Sequence, residues 1–294
     1  MELSVFEFLA APFVASLILT GIHAYLGVHV VERGVIFVDL SLAQIAALGA
    51  TIAVLLPITG GDPHAPSVYW ISLAFTFIGA AVFSTIRSKH ARIPQEAIIG
   101  ICYAVASAAS ILAMSKATAQ AEHLDDMLVG NILAVSWHDV LKTTLLYGAI
   151  GTFHFIFRRQ FLAISMSPAS AEAKGMSIRL WDFLFYASFG FVVTSSVSIA
   201  GVLLVFCYLI VPSVAAMLYS DRIGPRLAIG WSMGTIVSAL GVYLSVALDL
   251  PTGATIVCTF GIVLALMAAV RPLIQRNGAR ELHQRDYADV AHGH

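Results

Sequence analysis

Stretches of apolar residues alternate with short polar gaps along nearly the whole chain. Each stretch is about 20 residues long, the length that an α-helix needs to cross the hydrocarbon core of a membrane. Because backbone N–H and C=O groups cannot stay unpaired in lipid, such stretches are expected to be helical. The pattern predicts an all-α, polytopic bundle of nine transmembrane helices, at residues 8–30, 35–57, 68–86, 95–115, 139–157, 182–199, 201–219, 226–248 and 252–271.

The sixth and seventh predicted helices are the hardest to separate. No charged residue occurs from Phe183 to Ser220, a stretch nearly twice as long as one span. A cluster of threonine and serine residues followed by Gly201 lies at its middle. Because such residues favour turns, we place a tight hairpin turn there.

Composition and motifs limit the classes of function that this chain can have. The chain has 294 residues, of which 59% are hydrophobic and 11% charged. We therefore predict one transmembrane domain at 1–271 and a short polar tail at 272–294, with no soluble catalytic domain. The net charge of -1 argues against a nucleic-acid-binding surface. The nucleotide-binding motif G-x-x-x-x-G-K-[ST] and the hydrolase motif H-E-x-x-H do not occur, so the sequence does not predict an enzyme of either class.

Basic residues set the expected orientation. Of the 16 Lys and Arg residues, 14 fall in alternate gaps between the predicted helices, and only Lys116 and Lys142 fall on the other side. Basic residues accumulate on the cytoplasmic side of membrane proteins. With nine helices, the N-terminus is expected outside and the C-terminus in the cytoplasm.

Several polar residues lie inside predicted helices, where each is a candidate for function because burying a polar group in a membrane is unfavourable. The second helix carries Asp39, Ser41 and Gln44, and the first carries His23. At about 100° per residue, Asp39 and Gln44 lie about 140° apart, so only a wide pathway could include both. Two alternatives stay open: His23 forms hydrogen bonds between helices, and Asp39 pairs with Arg33.

The gap between the fourth and fifth helices contains a second candidate site. His123, Asp125 and Asp126 place imidazole and carboxylate donors close together, a set that suits a divalent cation. The alternative is an acidic loop that only contacts solvent.

The gap between the fifth and sixth helices contains the segment SPASAEAKG. Ser and Pro at its start and Gly at its end predict a short helix. Its small residues would let it enter a groove on another protein. The residues of this candidate docking segment are Pro168, Ala169, Ala171, Glu172, Ala173 and Gly175.

The order of several motifs resembles the permease subunits of ATP-binding-cassette importers for zinc, manganese and iron, the ABC-3 family. The motifs are ERGVIFVDLSLAQIAALG, PQEAIIGICYAVASA, LVGNILAVSWHD, the A-x-A-x-A-K-G loop, AGVLLVFCYLIVPSVAAML and LDLPTGATIV. The resemblance extends from about Pro12 to Arg271.

This resemblance implies a type II importer with the fold of the vitamin B12 permease, in the inner membrane of a bacterium. It implies a homodimer that binds two cytoplasmic ATPase subunits and receives a divalent metal ion from an extracytoplasmic metal-binding protein. The Pro168–Gly175 helix would be the coupling helix that contacts the ATPase. The metal ion would be transported, and no permanently bound cofactor is implied.

The sequence departs from the family on the second helix. Many members carry D-x-x-x-H just before a Leu–Gly pair that resembles Leu48–Gly49. Aligned on that glycine, the histidine position is Gln44, and the acidic position is Leu40, next to Asp39. An amide oxygen is a weaker ligand than imidazole for first-row metals. A harder ion, a partly hydrated ion or a chelated metal stays open, and so does a secondary cation transporter that uses Asp39 without an ATPase.

Overall fold

In a computed structural model, the backbone is described for residues 2–59, 62, 65–87, 93–115 and 132–291, and the side chains for 9–59, 62, 65–87, 93–115 and 132–272. These residues form eleven α-helices, two short 3-10 turns at Pro57–Thr59 and Ile132–Ala134, and no strand. The helices are α1 (Glu2–Arg33), α2 (Val38–Leu55), α3 (Pro66–Ile86), α4 (Gln95–Met114), α5 (Trp137–Ile156), α6 (Arg158–Met166), α7 (Pro168–Ala173), α8 (Ile178–Ala200), α9 (Val202–Met217), α10 (Ile223–Leu248) and α11 (Thr252–Ala291). The predicted all-α bundle is confirmed.

The predicted count of nine transmembrane helices is approximate. Each predicted stretch coincides with one helix, but only seven of the described helices are long and apolar enough to cross a membrane. Helices α5 and α6 make an eighth if they are counted together, although they are bent by 75° at Phe157. Helix α9 has 16 residues and is therefore about 24 Å long, less than the ~30 Å hydrocarbon core.

The structure breaks the helix at Gly201, the position where the turn was predicted. Helix α8 ends at Ala200 and α9 begins at Val202. Gly201 has a φ of 77° and a ψ of 160°, a conformation that residues with a Cβ atom rarely adopt. Glycine at this position therefore allows the chain to leave one helix and enter the next without an intervening loop.

Helix α6 was not predicted, because its sequence RRQFLAISM is polar on one side and resembles a loop. It buries Phe161, Ile164 and Ser165 against the bundle. The short α7 follows it after Ser167, as predicted, and ends before Gly175, whose φ is 78°. At the other end of the chain, the backbone of α11 continues as helix beyond residue 271 to Ala291.

The helices approach closely where residues are small. A methyl group on Gly27 of α1 would lie 1.9 Å from the Leu209 carbonyl oxygen of α9 and 2.4 Å from Ser213 Oγ. A methyl group on Gly49 of α2 would lie 2.9 Å from the Cα atom of Ser72 of α3. Small residues let helix backbones pack closely in membranes, so these glycines fix two of the main helix contacts.

Two helices leave most of their apolar surface uncovered. Only 17% of the spanning window is buried in α4, and the same fraction is buried in α11. Large apolar side chains such as Ile111, Leu112 and Ile262 are more than 60% exposed. Lipid or another protein surface is therefore required to cover these faces.

We expect Gly27→Ala to destabilise the bundle, since the added methyl group meets a backbone carbonyl that cannot rotate away. Overpacking of this kind costs about 1–3 kcal/mol. Thermal unfolding of the purified protein in detergent should therefore give a lower melting temperature. The matched control is Gly21→Ala on the same helix, where an added methyl group has nothing within 4 Å. Equal melting temperatures for the two variants would contradict the close α1–α9 contact.

Candidate functional site

Asp39 lies in the first turn of α2 and is 1% exposed. Its Oδ2 atom has no hydrogen-bond partner. The alternative that Asp39 pairs with Arg33 is wrong, because Arg33 donates to Asp182 instead. The partial positive charge at a helix N-terminus favours a carboxylate in this position. Among the described residues, this buried oxygen therefore has no partner, which keeps Asp39 a candidate for the pathway.

The other two candidates on α2 do not point the same way as Asp39. Ser41 is fully buried, its Oγ atom has no hydrogen-bond partner, and it lies about 200° around the helix from Asp39. Gln44 is half-buried, on a stripe of α2 with the half-buried Leu40 and Leu48. Asp39 and Gln44 therefore do not converge on one point within a single chain.

His23 is held by hydrogen bonds within the protein. Its Nδ1 atom lies 2.8 Å from the Leu19 carbonyl oxygen, and its Nε2 atom lies 3.2 Å from Ser196 Oγ on α8. Tyr147 of α5 contacts the same serine at 2.6 Å. Both imidazole nitrogens are thus engaged between α1 and α8. Among the residues that the structure describes, no group of three or more His, Cys, Asp or Glu side chains could hold a metal ion.

A cavity of about 60 Å³ lies between α2, α3, α4 and α8. Ala43, Ala46 and Ala50 line it and lie on the same stripe of α2 as Asp39, within about 40° of it. Serine or threonine residues from all four helices also line it: Thr51, Ser72, Ser110, Thr194 and Ser198. The volume can hold a few water molecules, and the cavity lies further along α2 than Asp39, which does not line it.

Three charged side chains, which we call the charge triad, meet at one end of the bundle. The carboxylate of Asp182 on α8 is fully buried. It accepts a hydrogen bond of 2.5 Å from Arg33 Nη1 at the end of α1 and one of 2.8 Å from Arg87 Nη1 after α3. The Arg33 guanidinium also lies 4.0 Å from the centre of the Phe185 ring. A second ion pair, Glu32–Arg226, lies next to it and links α1 to α10. We call this end of the bundle the basic end.

The sequence analysis did not identify the charge triad. Arg33 was considered only for orientation and as a partner of Asp39, Arg87 only for orientation, and Asp182 was only the first residue of a predicted helix. The available signal was one acidic residue at a helix end on the side of the membrane that holds the arginines. Sequence alone does not show which arginine reaches it.

The α7 segment lies at the basic end, directly after α6. Ala171 is 1% exposed and points into the protein, whereas Ala169, Glu172, Ala173 and Gly175 are exposed. Its first residue, Pro168, is half-buried. Of the small residues proposed for docking, Ala171 therefore packs inside its own chain. The outer candidates His123, Asp125 and Asp126 lie outside the described residues.

The chain matches known membrane transport proteins over most of its length. Residues 5–271 match the model of the ABC 3 transport family. The manganese transport system membrane protein MntC of Halalkalibacterium halodurans is 25% identical over 272 residues, which are 90% of this chain and 88% of that protein. The chelated iron transport system membrane protein YfeC of Yersinia pestis is 26% identical over 242 residues, 82% of this chain and 79% of that protein.

The fold matches a solved structure as well. The structure of PsaBC from Streptococcus pneumoniae in complex with Fab superposes with a TM-score of 0.73 at 23% sequence identity, covering 90% of this chain and 92% of that chain. The resemblance deduced from the order of motifs is confirmed, and this chain belongs to the ABC 3 transport family.

Proposed function

We propose that this chain is the permease subunit of an ATP-driven importer for a divalent metal ion. The observation that carries this proposal is the family match across residues 5–271, which takes in all the helices around the cavity on α2 and the α7 segment. The chain itself carries no nucleotide-binding motif, so a separate cytoplasmic ATPase would supply the energy. An extracytoplasmic binding protein would deliver the metal.

In this proposal the protein lies in the plasma membrane of a bacterium, with the basic end in the cytoplasm. The preference of basic residues for the cytoplasmic side supports this orientation. The exposed face of α7 would then meet the ATPase, while the N-terminus of α1 would lie outside and α11 would lead to a cytoplasmic C-terminus.

We propose manganese(II) as the transported ion. Two separate positions on α2 offer oxygen donors, a carboxylate at Asp39 and an amide oxygen at Gln44, and such hard oxygen ligands suit manganese better than zinc. A similar protein is named for manganese transport, which agrees with this choice. Another is named for chelated iron, and a chelated metal is the alternative cargo.

A homodimer would complete the pathway. One chain holds no metal site among its described residues, and the polar Gln44 lies half-buried on an apolar stripe of α2. A second copy packed against this stripe would bring two amide oxygens together. Oligomers of identical chains are most often two-fold symmetric dimers, in which such a stripe meets its own copy.

The test is uptake in proteoliposomes that contain the permease, its partner ATPase and the binding protein. We expect accumulation of radioactive manganese that requires ATP. The same complex with the Walker lysine of the ATPase replaced should not accumulate manganese. Uptake that continues with the inactive ATPase would contradict the proposal and favour a secondary transporter.

We expect Asp39→Asn to reduce manganese uptake per folded transporter by about tenfold or more, because a buried charge without a protein partner has been retained at an energetic cost. The amount of folded protein should change little, since no salt bridge is lost. Uptake and folded protein are both measured, the latter by size-exclusion chromatography. Equal losses of both would assign Asp39 a structural role.

Gln44→His tests the neighbouring position with the same assay. An imidazole at this site should shift competition between manganese and zinc toward zinc, because zinc binds nitrogen ligands more strongly than manganese does. The control is Gln44→Asn, which keeps the amide. Unchanged selectivity in Gln44→His would exclude residue 44 from the pathway.

We expect Ala173→Arg to weaken binding of the ATPase, since the exposed face of α7 would carry bulk and charge into the partner's groove. Loss of about tenfold in affinity corresponds to about 1.4 kcal/mol. Co-purification of the ATPase with the permease measures this loss. Ala173→Ser is the matched control, because it keeps a small side chain at the same position. Normal co-purification of the Ala173→Arg variant would exclude α7 as the docking segment.

A further inference from the structure

We propose that the charge triad and Ser165 form the link that carries movement of the α7 segment to the turn between α1 and α2, and so to Asp39. This inference rests on the proposed function, because it concerns how ATP hydrolysis in a partner would be coupled to the pathway. It assigns a positioning role to residues that lie outside both the docking segment and the pathway.

The first step runs from α7 to the charge triad through α6. Only Ser167 separates the end of α6 from α7. Two hydrogen bonds join α6 to the triad: Arg87 Nη2 donates to the Ile164 carbonyl oxygen at 3.2 Å, and Arg33 Nε donates to Ser165 Oγ at 2.9 Å. Displacement of α7 therefore acts directly on both arginines.

A third contact also connects α6 to α1. His29 Nδ1 on α1 lies 2.8 Å from Ser165 Oγ, so this one hydroxyl group bridges two side chains of α1. Ser165 is 3% exposed, and Phe161 and Ile164 beside it are fully buried. Helix α6 cannot move away from α1 without breaking these contacts.

The second step depends on the burial of the triad. The side chains of Arg33, Arg87 and Asp182 are 1%, 17% and 0% exposed. Separating a buried ion pair leaves an uncompensated charge, which is strongly unfavourable. The ends of α1, α3 and α8 should therefore move together with α6 as one unit.

The third step runs along the chain from Arg33 to Asp39, which is six residues later. The turn between them is short and hydrogen-bonded: the Val35 amide donates to the Val30 carbonyl oxygen at 3.2 Å, and the Val38 amide donates to that of Val35 at 3.0 Å. Val35 and Val38 are fully buried. A rigid turn of this kind passes a displacement of Arg33 on to the first turn of α2.

A neighbouring ion pair provides a natural contrast. Glu32, next to Arg33, pairs with Arg226 of α10. That pair joins the same end of α1 to a different helix, α10, instead of α6. If any buried ion pair at the basic end sufficed for coupling, Glu32–Arg226 would serve equally well, whereas the link proposed here requires α6.

The experiment measures manganese transported per ATP hydrolysed in the reconstituted complex. We expect Ser165→Ala to lower this ratio severalfold, with the ATPase still bound and active, because it removes the hydroxyl group that joins α6 to α1. Asp182→Asn should lower it by about tenfold or more, since the triad loses its shared carboxylate. Ser165→Thr, which keeps the hydroxyl group, should restore a ratio near that of the unmodified protein.

The matched control is Ser213→Ala. Ser213 on α9 is also buried, and its Oγ atom donates to the Leu209 carbonyl oxygen at 2.9 Å and to the Ala24 carbonyl oxygen of α1 at 3.3 Å. It joins α1 to a helix other than α6, so its loss can lower stability but should leave the transport ratio unchanged. If Ser165 had only a structural role, Ser165→Ala would likewise leave the transport ratio unchanged.

Three outcomes would overturn the inference. The first is an unchanged transport ratio in Ser165→Ala. If Asp182→Asn does not fold, the result for Ser165→Ala alone tests the inference. The second is an equal fall in the ratio for Ser165→Ala and Ser213→Ala. The third is the absence of ATP-dependent manganese uptake by the unmodified complex, which would overturn the proposed function at the same time. If the unmodified complex couples transport to ATP hydrolysis and the Ser165→Ala variant does so equally well, only the inference is overturned.

Discussion

The carboxylate of Asp182 organises the basic end of the bundle. It is fully buried and binds two arginines, one at the end of α1 and one after α3. In a low-dielectric interior a charge is stable only with partners of opposite sign and satisfied hydrogen bonds. Four elements, α1, α3, α6 and α8, therefore meet at one place, and two of them, α3 and α8, also line the cavity.

Much of the fold could be predicted from the sequence, because lipid imposes a simple rule on the chain. Apolar stretches of sufficient length become helices, and Gly201 separated two of them correctly. The rule failed for α6, whose amphipathic sequence gives no transmembrane signal, and for the count of spans, since α9 is shorter than the membrane core. Helix ends also differed by a few residues where a polar side chain, such as that of Arg33, is buried by partners from other helices.

The candidate site was less predictable, because its contacts join residues far apart in sequence. Periodicity correctly placed Asp39 and Gln44 on different sides of α2. It could not show that Arg33 reaches across 149 positions to Asp182 and leaves Asp39 without an ion-pair partner. For the same reason, the hydrogen bonds of His23 to the Leu19 carbonyl oxygen and to Ser196 could be listed only as an open alternative.

The short turn after α1 thus separates two carboxylates with different surroundings. Asp182 has two arginines and is neutralised within the protein, so it contributes to structure. Asp39, six residues beyond Arg33, has an oxygen without a partner among the described residues, and it lies on the same stripe of α2 as the alanines that line the cavity. If the first carboxylate holds the turn in place, the second is kept in a fixed position with one oxygen that has no partner among the described residues. In the proposed function, this oxygen is the atom of α2 that would meet a metal ion, and the turn that positions it is the one held by Arg33.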